Sequence, residues 1–430
     1  KTSSNNITET KVLFKKEFNV QYPSVYIAAT NLITAIGDSS RMNYFSFKAG
    51  ICAYAESEFS NSQGEPAKLA LVPSQLFEQI QIEIDEGLYF SAQYERIIKL
   101  AVYNLQLLAA EPVIAHIKTP IPLLLAMPEL NENNPPIPNR MLTQHILQYS
   151  SIPIEQSKIH NFPSGRAGAI EAIAKAFEYL AQPENAFVLV GGCDSYADTG
   201  LLVELDEQGR LLAMNAADGF APGEGSSFLL LTNRAEYAMQ QDDAIIQLSP
   251  PGIGHEPGHW HNDAPYRGEG LDQAFKALLK DYSEVKIERI FSSLNGEHFW
   301  AKELGVAQLR NRRYLHDELV VEHPADCYGD LGAATGAALI TLSAMSLILP
   351  LSASRAPTKG ELSVGSQPLE QSCTPQIQPV ANLPPIKPDS ENVHLIYASA
   401  DGPKRAAILV RRVSASQQIA ELSNHQQGQR

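Results

Sequence analysis

Two short runs of small residues constrain this chain more than any other feature. Ser164–Gly165–Arg166–Ala167–Gly168–Ala169–Ile170 opens one helical stretch, running to about Leu180. Gly332–Ala333–Ala334–Thr335–Gly336–Ala337–Ala338 opens another, running to Leu349. Glycine and alanine at helical spacing let two helix axes come close, so such helices belong in a protein centre, packed on each other. Around each run the same pattern recurs. Apolar runs of strand length stand at Ser24–Ile33, Ile121–Met127, Ala186–Val190 and Phe228–Leu231, and again at Ala244–Leu248, Ile287–Phe291, Val393–Tyr397 and Ala406–Arg411. Helical spacing marks Glu95–Ala110 and Gly270–Lys280. Short apolar runs closed by glycine, proline and polar residues read as buried strands. Two such series in one chain predict a duplicated α/β fold of five layers. The halves fall at 23–235 and 236–412. Polar tails are expected at 1–22 and 413–430, and the Pro/Ser-rich stretch 350–392 reads as a long surface loop.

Charge and cysteine usage narrow the function. Carboxylates outnumber Lys plus Arg by 48 to 33, a formal charge of −15, which repels a phosphate backbone and excludes nucleic acid as a partner. Cys52, Cys193, Cys327 and Cys373 are too scattered for a disulfide framework or a Cys-based zinc site, and a reducing cytoplasm suits them. The longest apolar stretch, Ala337–Leu349, ends at Pro350 and is too short to span a bilayer. No signal peptide is recognisable.

Several motifs keep one order along the chain. Asp218–Gly219–Phe220 is followed by Gly223–Glu224–Gly225 and an apolar strand. Tyr266–Leu279, Phe187–Gly192, the turn Gly329–Asp330–Leu331–Gly332–Ala333–Ala334, and Gly402 with Ala406–Val410 complete the set. Over roughly residues 24–412 the chain resembles the thiolase superfamily, and within it the β-ketoacyl synthases. The resemblance implies a duplicated αβαβα thiolase-like fold with two pseudo-symmetric halves. It also implies a homodimer, or a heterodimer with a related subunit, formed by extending a sheet across a two-fold axis near the strand that holds Phe187–Val190.

In the resembled family a cysteine stands at the start of a buried helix, in a turn of the form N-C-x-S-G. The helix dipole and free N–H groups stabilise its thiolate, which attacks an acyl thioester. Two further polar residues, His–His or His–Asn, serve decarboxylation and oxyanion binding. Here the turn reads Asn161–Phe162–Pro163–Ser164–Gly165, so the nucleophile position holds Phe162, which has no reactive atom and would crowd an approaching thioester. The first histidine position matches Asn295, and the second falls on Gly329 or Asp330. Asp330 would set a negative charge where an oxyanion needs a donor. The last glycine loop, which carries a gating Phe in the family, reads Ser399–Ala400–Asp401–Gly402. These departures imply a ketosynthase-like pseudo-enzyme that acts as a structural, binding or accessory partner, as chain-length factors do. Two alternatives stand beside it. One is a divergent acyltransferase that uses Cys327 or Ser164, although Ser164 suits packing and Cys327 suits a buried inert thiol. The other is an adaptor or chaperone for a protein client in a bacterial secretion gene cluster. The charge of −15 argues against docking an acidic acyl carrier.

His255, His259 and His261, with Glu256, form an H-x-x-x-H-x-H run of metal-ligand type. Pro257 and Gly258 make the run a loop, so surface histidines without a metal are expected. His323 reads as a local turn residue and Cys193 as structural. No cofactor is expected.

Overall fold

The structure, a computed structural model, describes residues 22–81, 92–129, 139–213, 218–280, 282, 286–349 and 392–420. Apart from Tyr22 and Asn392, the expected N-terminal tail and the 350–392 loop lie outside these residues, as do 421–430 of the expected C-terminal tail.

Among the described residues one twelve-stranded sheet forms, and ten of its strands, five in each half, make its continuous path. The first half holds β1 (Val25–Ile33), β2 (Ile121–Ala126), β3 (Ile154–Phe162), β4 (Phe187–Ser195) and β5 (Glu224–Thr232). The second holds β6 (Ala244–Leu248), β7 (Ile287–Ser292), β8 (Leu315–Glu322), β9 (Val393–Ser399) and β10 (Lys404–Ser414). Their spatial orders are β3-β2-β4-β5-β1 and β8-β7-β9-β10-β6, the same permutation twice. In each half the fifth strand, β5 or β10, runs antiparallel to both of its neighbours. The other pairings within each half are parallel. The two sheets meet where β1 pairs with β6, through Val25–Leu248 and Tyr26–Gln247. A repeated order with the same reversed strand identifies a duplication, and the architecture is the thiolase-like ketosynthase fold.

The strand period of two sorts side chains between layers. On β4, Phe187 and Leu189 join an outer core with helix α1 (Ala92–Ala109), while Val188 and Val190 point into a central core. On β9, Leu395 and Tyr397 pack outward on α3 (Glu269–Leu279), while Ile396 and Ala398 face the centre. Helix α4 (His298–Arg310) lies with α3 in that second outer layer. The centre is filled by α2 (Gly168–Leu180) and α5 (Thr335–Ile348), the two helices opened by the small-residue runs. Their approach is close. A Cβ on Gly336 would stand 3.0 Å from the Arg166 carbonyl oxygen and 3.3 Å from both Ala169 Cβ and Ile170 Cγ1.

Three expectations change. Asn161 and Phe162 are the last residues of β3, so the turn begins at Pro163 rather than Asn161. The strand holding Phe187–Val190 lies inside its sheet, flanked by β2 and β5, and so has no edge to offer a dimer mate. The outer strands of the framework are β3 and β8. Finally, β10 continues to Ser414 and residues 415–420 are helical, so ordered structure extends past 412.

The central contact is testable. Gly336→Val should lower the unfolding free energy by about 1–3 kcal/mol through overpacking. Gly305→Ala, in α4 with nothing within 4 Å of the new Cβ, should instead stabilise by about 0.5–1 kcal/mol. Urea denaturation of both variants reads the difference. An unchanged midpoint for Gly336→Val would contradict the packing.

Candidate functional site

The site grows from two backbone turns. Gly165 (φ +47°) and Gly332 (φ +49°) each take a left-handed conformation that suits glycine, then lead through one 3₁₀ turn into α2 or α5. Each turn faces a carboxylate. Asp194, near the end of β4, accepts the Ala333 N–H at 2.8 Å. A Cβ on Gly332 would sit 2.0 Å from Asp194 Oδ2. Glu129 stands against Gly165 and accepts the N–H groups of Asp401 and Gly402, both at 2.7 Å.

Between the turns lies a buried ionic network. Arg166 Nε donates to Asp330 Oδ2 at 3.1 Å, and its Nη1 and Nη2 both donate to Asp401 Oδ1 at 2.8 Å. Arg210 grips Glu297 with two bonds, of 2.7 and 2.8 Å, and reaches Asp401 Oδ2 at 2.7 Å. Asn295 Nδ2 donates to Asp330 Oδ2 at 2.8 Å and to Glu297 Oε2 at 3.0 Å. The Gly332 N–H donates to Asp330 Oδ1 at 2.8 Å. Indole rings cover both cations: Arg166 lies 4.8 Å from the Trp300 ring centroid and Arg210 lies 4.2 Å from that of Trp260. Trp300 Nε1 in turn donates to Glu297 Oε2 at 2.9 Å.

Burial works against the charge on both arginines, but the facing carboxylates outweigh it and hold both guanidiniums ionised. Asp401 is likewise disfavoured by burial, yet Arg166 and Arg210 bring it well below the usual carboxylate range. The two acids beside the network behave oppositely. Burial and then the Asp401 charge push Glu129 up to about 7. Burial pushes Asp194 up to about 7 despite its N–H partners.

A cleft of about 90 Å³ opens beside the network, walled by Glu129, Arg166, Asp194, Tyr196, Arg210 and His261 among others. Small-molecule sites typically run from about 300 to 1,000 Å³, so this cleft suits a few waters better than an acyl thioester.

The residues singled out in the sequence separate here. Asn295 and Asp330 meet, and both belong to the network. Gly329 (φ +76°) serves the turn itself, and with Asn295 and Asp330 it borders a separate void of about 10 Å³, room for one water. Phe162 ends β3, half-buried against the central core, and is not on the cleft wall. Ser164 Oγ donates to Glu171 Oε2 at 2.7 Å, and Glu171 is ion-paired with Lys404. Ser164 therefore has a carboxylate partner that the sequence did not disclose, but it too is absent from the cleft wall. Cys327 is buried, and burial first, then nearby Cys52 and Asp326, push its thiol to about 11. The Cys193 thiol is buried beside Ser226 Oγ and pushed to about 12.

Among the described residues no three His, Cys, Asp or Glu side chains converge as metal ligands. The expected loop begins after His255, which ends a short strand, Gly252–His255, antiparallel to β10, and the stretch that follows, with His259 and His261, latches onto the last glycine loop. Glu256 N–H donates to the Pro403 carbonyl at 2.8 Å and Trp260 N–H to the Asp401 carbonyl at 3.0 Å. This lays Trp260 on Arg210 and brings His261 to the cleft. His323 has a longer reach than the local turn role expected of it: its Nδ1 lies 3.0 Å from Ser292 Oγ at the end of β7. Glu224 of the Gly223–Glu224–Gly225 motif is scaffolding: buried, it accepts from Ser195 Oγ and Arg96 Nε at 2.6 Å and from Val72 N–H at 2.7 Å.

Sequence reasoning missed Arg166, Arg210, Glu129, Glu297, Trp260 and Trp300. For Arg166 and Glu297 a signal existed, because each is a charged residue set directly inside a glycine-rich turn.

No protein-family model matches the chain, and neither does any curated protein. Solved structures do. The ishigamide ketosynthase/chain length factor superposes with a TM-score of 0.63 at 14% identity, over 90% of this chain and 99% of that one. The ketosynthase ApeO in complex with its chain length factor ApeC, from Xenorhabdus doucetiae, gives 0.60 at 14% identity, over 91% and 98%. The ketosynthase from module 6 of the bacillaene synthase of Bacillus subtilis 168 gives 0.63 at 14%, over 90% and 72%. At such identities the likeness establishes the fold.

Removing one member of a buried ion cluster leaves its partners charged and unpaired. Asp330→Ala should cost about 3–5 kcal/mol in chemical denaturation, while Asp330→Leu combined with Arg166→Met should cost less than Asp330→Ala alone. Equal or additive losses would show that the pair is not coupled.

The raised acids give a pH signature. Folded Asp194 keeps its proton up to about pH 7, whereas in the unfolded chain it is released near 3.8. Between those values the folded state binds more protons, so stability is greatest below that window and falls as pH rises through it. Glu129 adds the same sign. Unfolding free energy measured from pH 5 to 7.5 should decline, and Asp194→Asn should flatten the slope. A wild-type curve that rises across this range would refute the assignment.

Proposed function

We propose that this chain is a non-condensing protein with a ketosynthase-like fold, a structural or accessory partner of other subunits rather than an acyl-transferring enzyme. One observation carries the reading: Asn295 and Asp330, which match the family's histidine positions as Phe162 matches its nucleophile, are bound into the ionic network of Arg166, Arg210, Glu297 and Asp401. The cleft of about 90 Å³ beside it supports the same reading.

The partner is argued from the fold's company and from the exposed sheet edge. Structures of similar fold include ketosynthases in complex with a chain length factor or an acyl-carrier protein. The outer strand β3 carries exposed Gln156 and Ser157 and only half-buried residues from Lys158 to Phe162. A second copy, or a related subunit, adding an antiparallel strand there would cover it. The cleft mouth includes Glu204, and with a formal charge of −15 it favours such a subunit over an acidic acyl carrier. Among the described residues no helix is long and apolar enough to cross a membrane, and we place the protein in the cytoplasm on its scattered cysteines.

Two measurements test this reading. Wild-type protein incubated with acyl or malonyl thioesters should gain no mass in intact-protein spectrometry. Phe162→Cys should acylate slowly without condensing, because loss of even one oxyanion donor typically costs about a hundred-fold or more. A stoichiometric adduct on wild-type Ser164 or Cys327 would establish the divergent acyltransferase instead. Sedimentation at micromolar concentration should give a dimer, or a complex with a co-purifying subunit. A monomer that captures no subunit would remove the partner role.

A further inference from the structure

We propose that Cys52 and Cys327 are a dithiol pair that closes reversibly into a disulfide, fastening the segment 52–54 to the turn that leads into Asp330. The backbones already lie side by side: the Ala53 N–H donates to the Cys327 carbonyl oxygen at 2.9 Å. One residue further on, the Tyr54 hydroxyl donates to the Ala325 carbonyl, so residues 53 and 54 run along the turn Ala325–Tyr328. This bond brings the backbones at the two cysteines within one hydrogen bond of each other, the kind of proximity that a disulfide, with Cα atoms roughly 4.4–6.8 Å apart, requires. Each thiol also acts electrostatically on its surroundings here: Cys52 on Cys327, and both on Tyr54. Their accessibility differs in a useful way. Cys52 is exposed and Cys327 is 7% exposed, an outer thiol beside an inner one. Cys193 is buried in the outer core of the first half, with no comparable neighbour.

The chemistry balances with a low-molecular-weight disulfide, such as oxidised glutathione, as the oxidant. The Cys52 thiolate attacks one sulfur of that disulfide, forming a mixed disulfide and expelling one small thiolate. Cys327 then loses its proton, its sulfur attacks Cys52 Sγ, and the second small thiolate leaves. The two protein protons end on the two released thiols, and the protein loses two hydrogens. The high pKa of Cys327 makes the second step slow at neutral pH and faster as pH rises. Transient bridges of this kind suit a reducing compartment that meets occasional oxidation. The turn so fastened continues directly into Gly329 and Asp330, so the bridge would restrain the second-half end of the ionic network.

The full chain, carrying Cys373→Ser to remove the other uncharacterised thiol, is incubated with oxidised glutathione and digested without reduction. The expected product is one Cys52–Cys327 linked peptide, with loss of two free thiols and recovery on adding dithiothreitol. Its yield should rise with pH, and slower amide exchange over 325–331 should accompany it. Cys52→Ala, a surface change, should abolish the link. A stable glutathione adduct on Cys52 with Cys327 still free, a Cys52 link between two copies, or no loss of thiols at all would each overturn the proposal.

Discussion

The carboxylate of Asp401 lies between two arginines, and the joint between the halves depends on that arrangement. Arg166 and Arg210 belong to the first half, while Asp330, Glu297 and Asp401 belong to the second. Every ion pair of the network therefore crosses the pseudo-symmetric boundary. The two indoles that cover the guanidiniums, Trp260 and Trp300, also come from the second half. Buried ion clusters add little stability over apolar packing of the same volume, but breaking them is costly. Their contribution here is geometric. Two planar guanidiniums, three carboxylates and one amide can all be satisfied only when α2, α5 and the last glycine loop hold one mutual register. The apolar contact at Gly336 brings the helices together, and the ionic contact fixes how they sit.

Comparison of the two equivalent turns shows how lopsided the network is. Gly165 and Gly332 occupy corresponding turns, with nearly equal φ and with an acid opposite each, Glu129 or Asp194. The next residue breaks the symmetry. After Gly332 comes Ala333, whose N–H is satisfied by Asp194. After Gly165 comes Arg166, whose side chain runs across to the other half. Asp330 lies beside the equivalent turn, and Asp401 lies in the glycine loop that closes the second sheet.

The legible parts of this fold are the ones where burial imposes a pattern. Strands at the sheet centres, such as Phe187–Ser195 and Glu224–Thr232, are buried along their whole length and stand out as apolar runs. The small residues of the central helices show in the sequence because close approach requires them. The outer strands Ile154–Phe162 and Leu315–Glu322 escaped for the opposite reason. With one edge unpaired and little of their surface buried, they carry Glu, Gln, Lys, His and Asp, and neither period nor composition marks them. Helix α4 is mostly polar on its exposed side, and its few buried residues, Trp300, Glu303, Leu304 and Ala307, include a charge. The residue at the position matching the family nucleophile, Phe162, is read directly from the sequence. The network could not be read there, because its members are separated by up to hundreds of residues and only the duplication brings them together. Arg210 and Trp260 carry no local signal at all.

The proposed lack of acyl transfer rests on the donors around the two turns as well as on Phe162. Activating an acyl carbonyl needs hydrogen-bond donors aimed at empty space. Here five donors around the two turns already meet carboxylates. Asn295 spends its amide on Asp330 and Glu297. The Gly332 N–H is taken by Asp330 and the Ala333 N–H by Asp194. The Asp401 and Gly402 N–H groups are taken by Glu129. On the reading proposed above, these side-chain carboxylates take the donors that a substrate oxyanion would need.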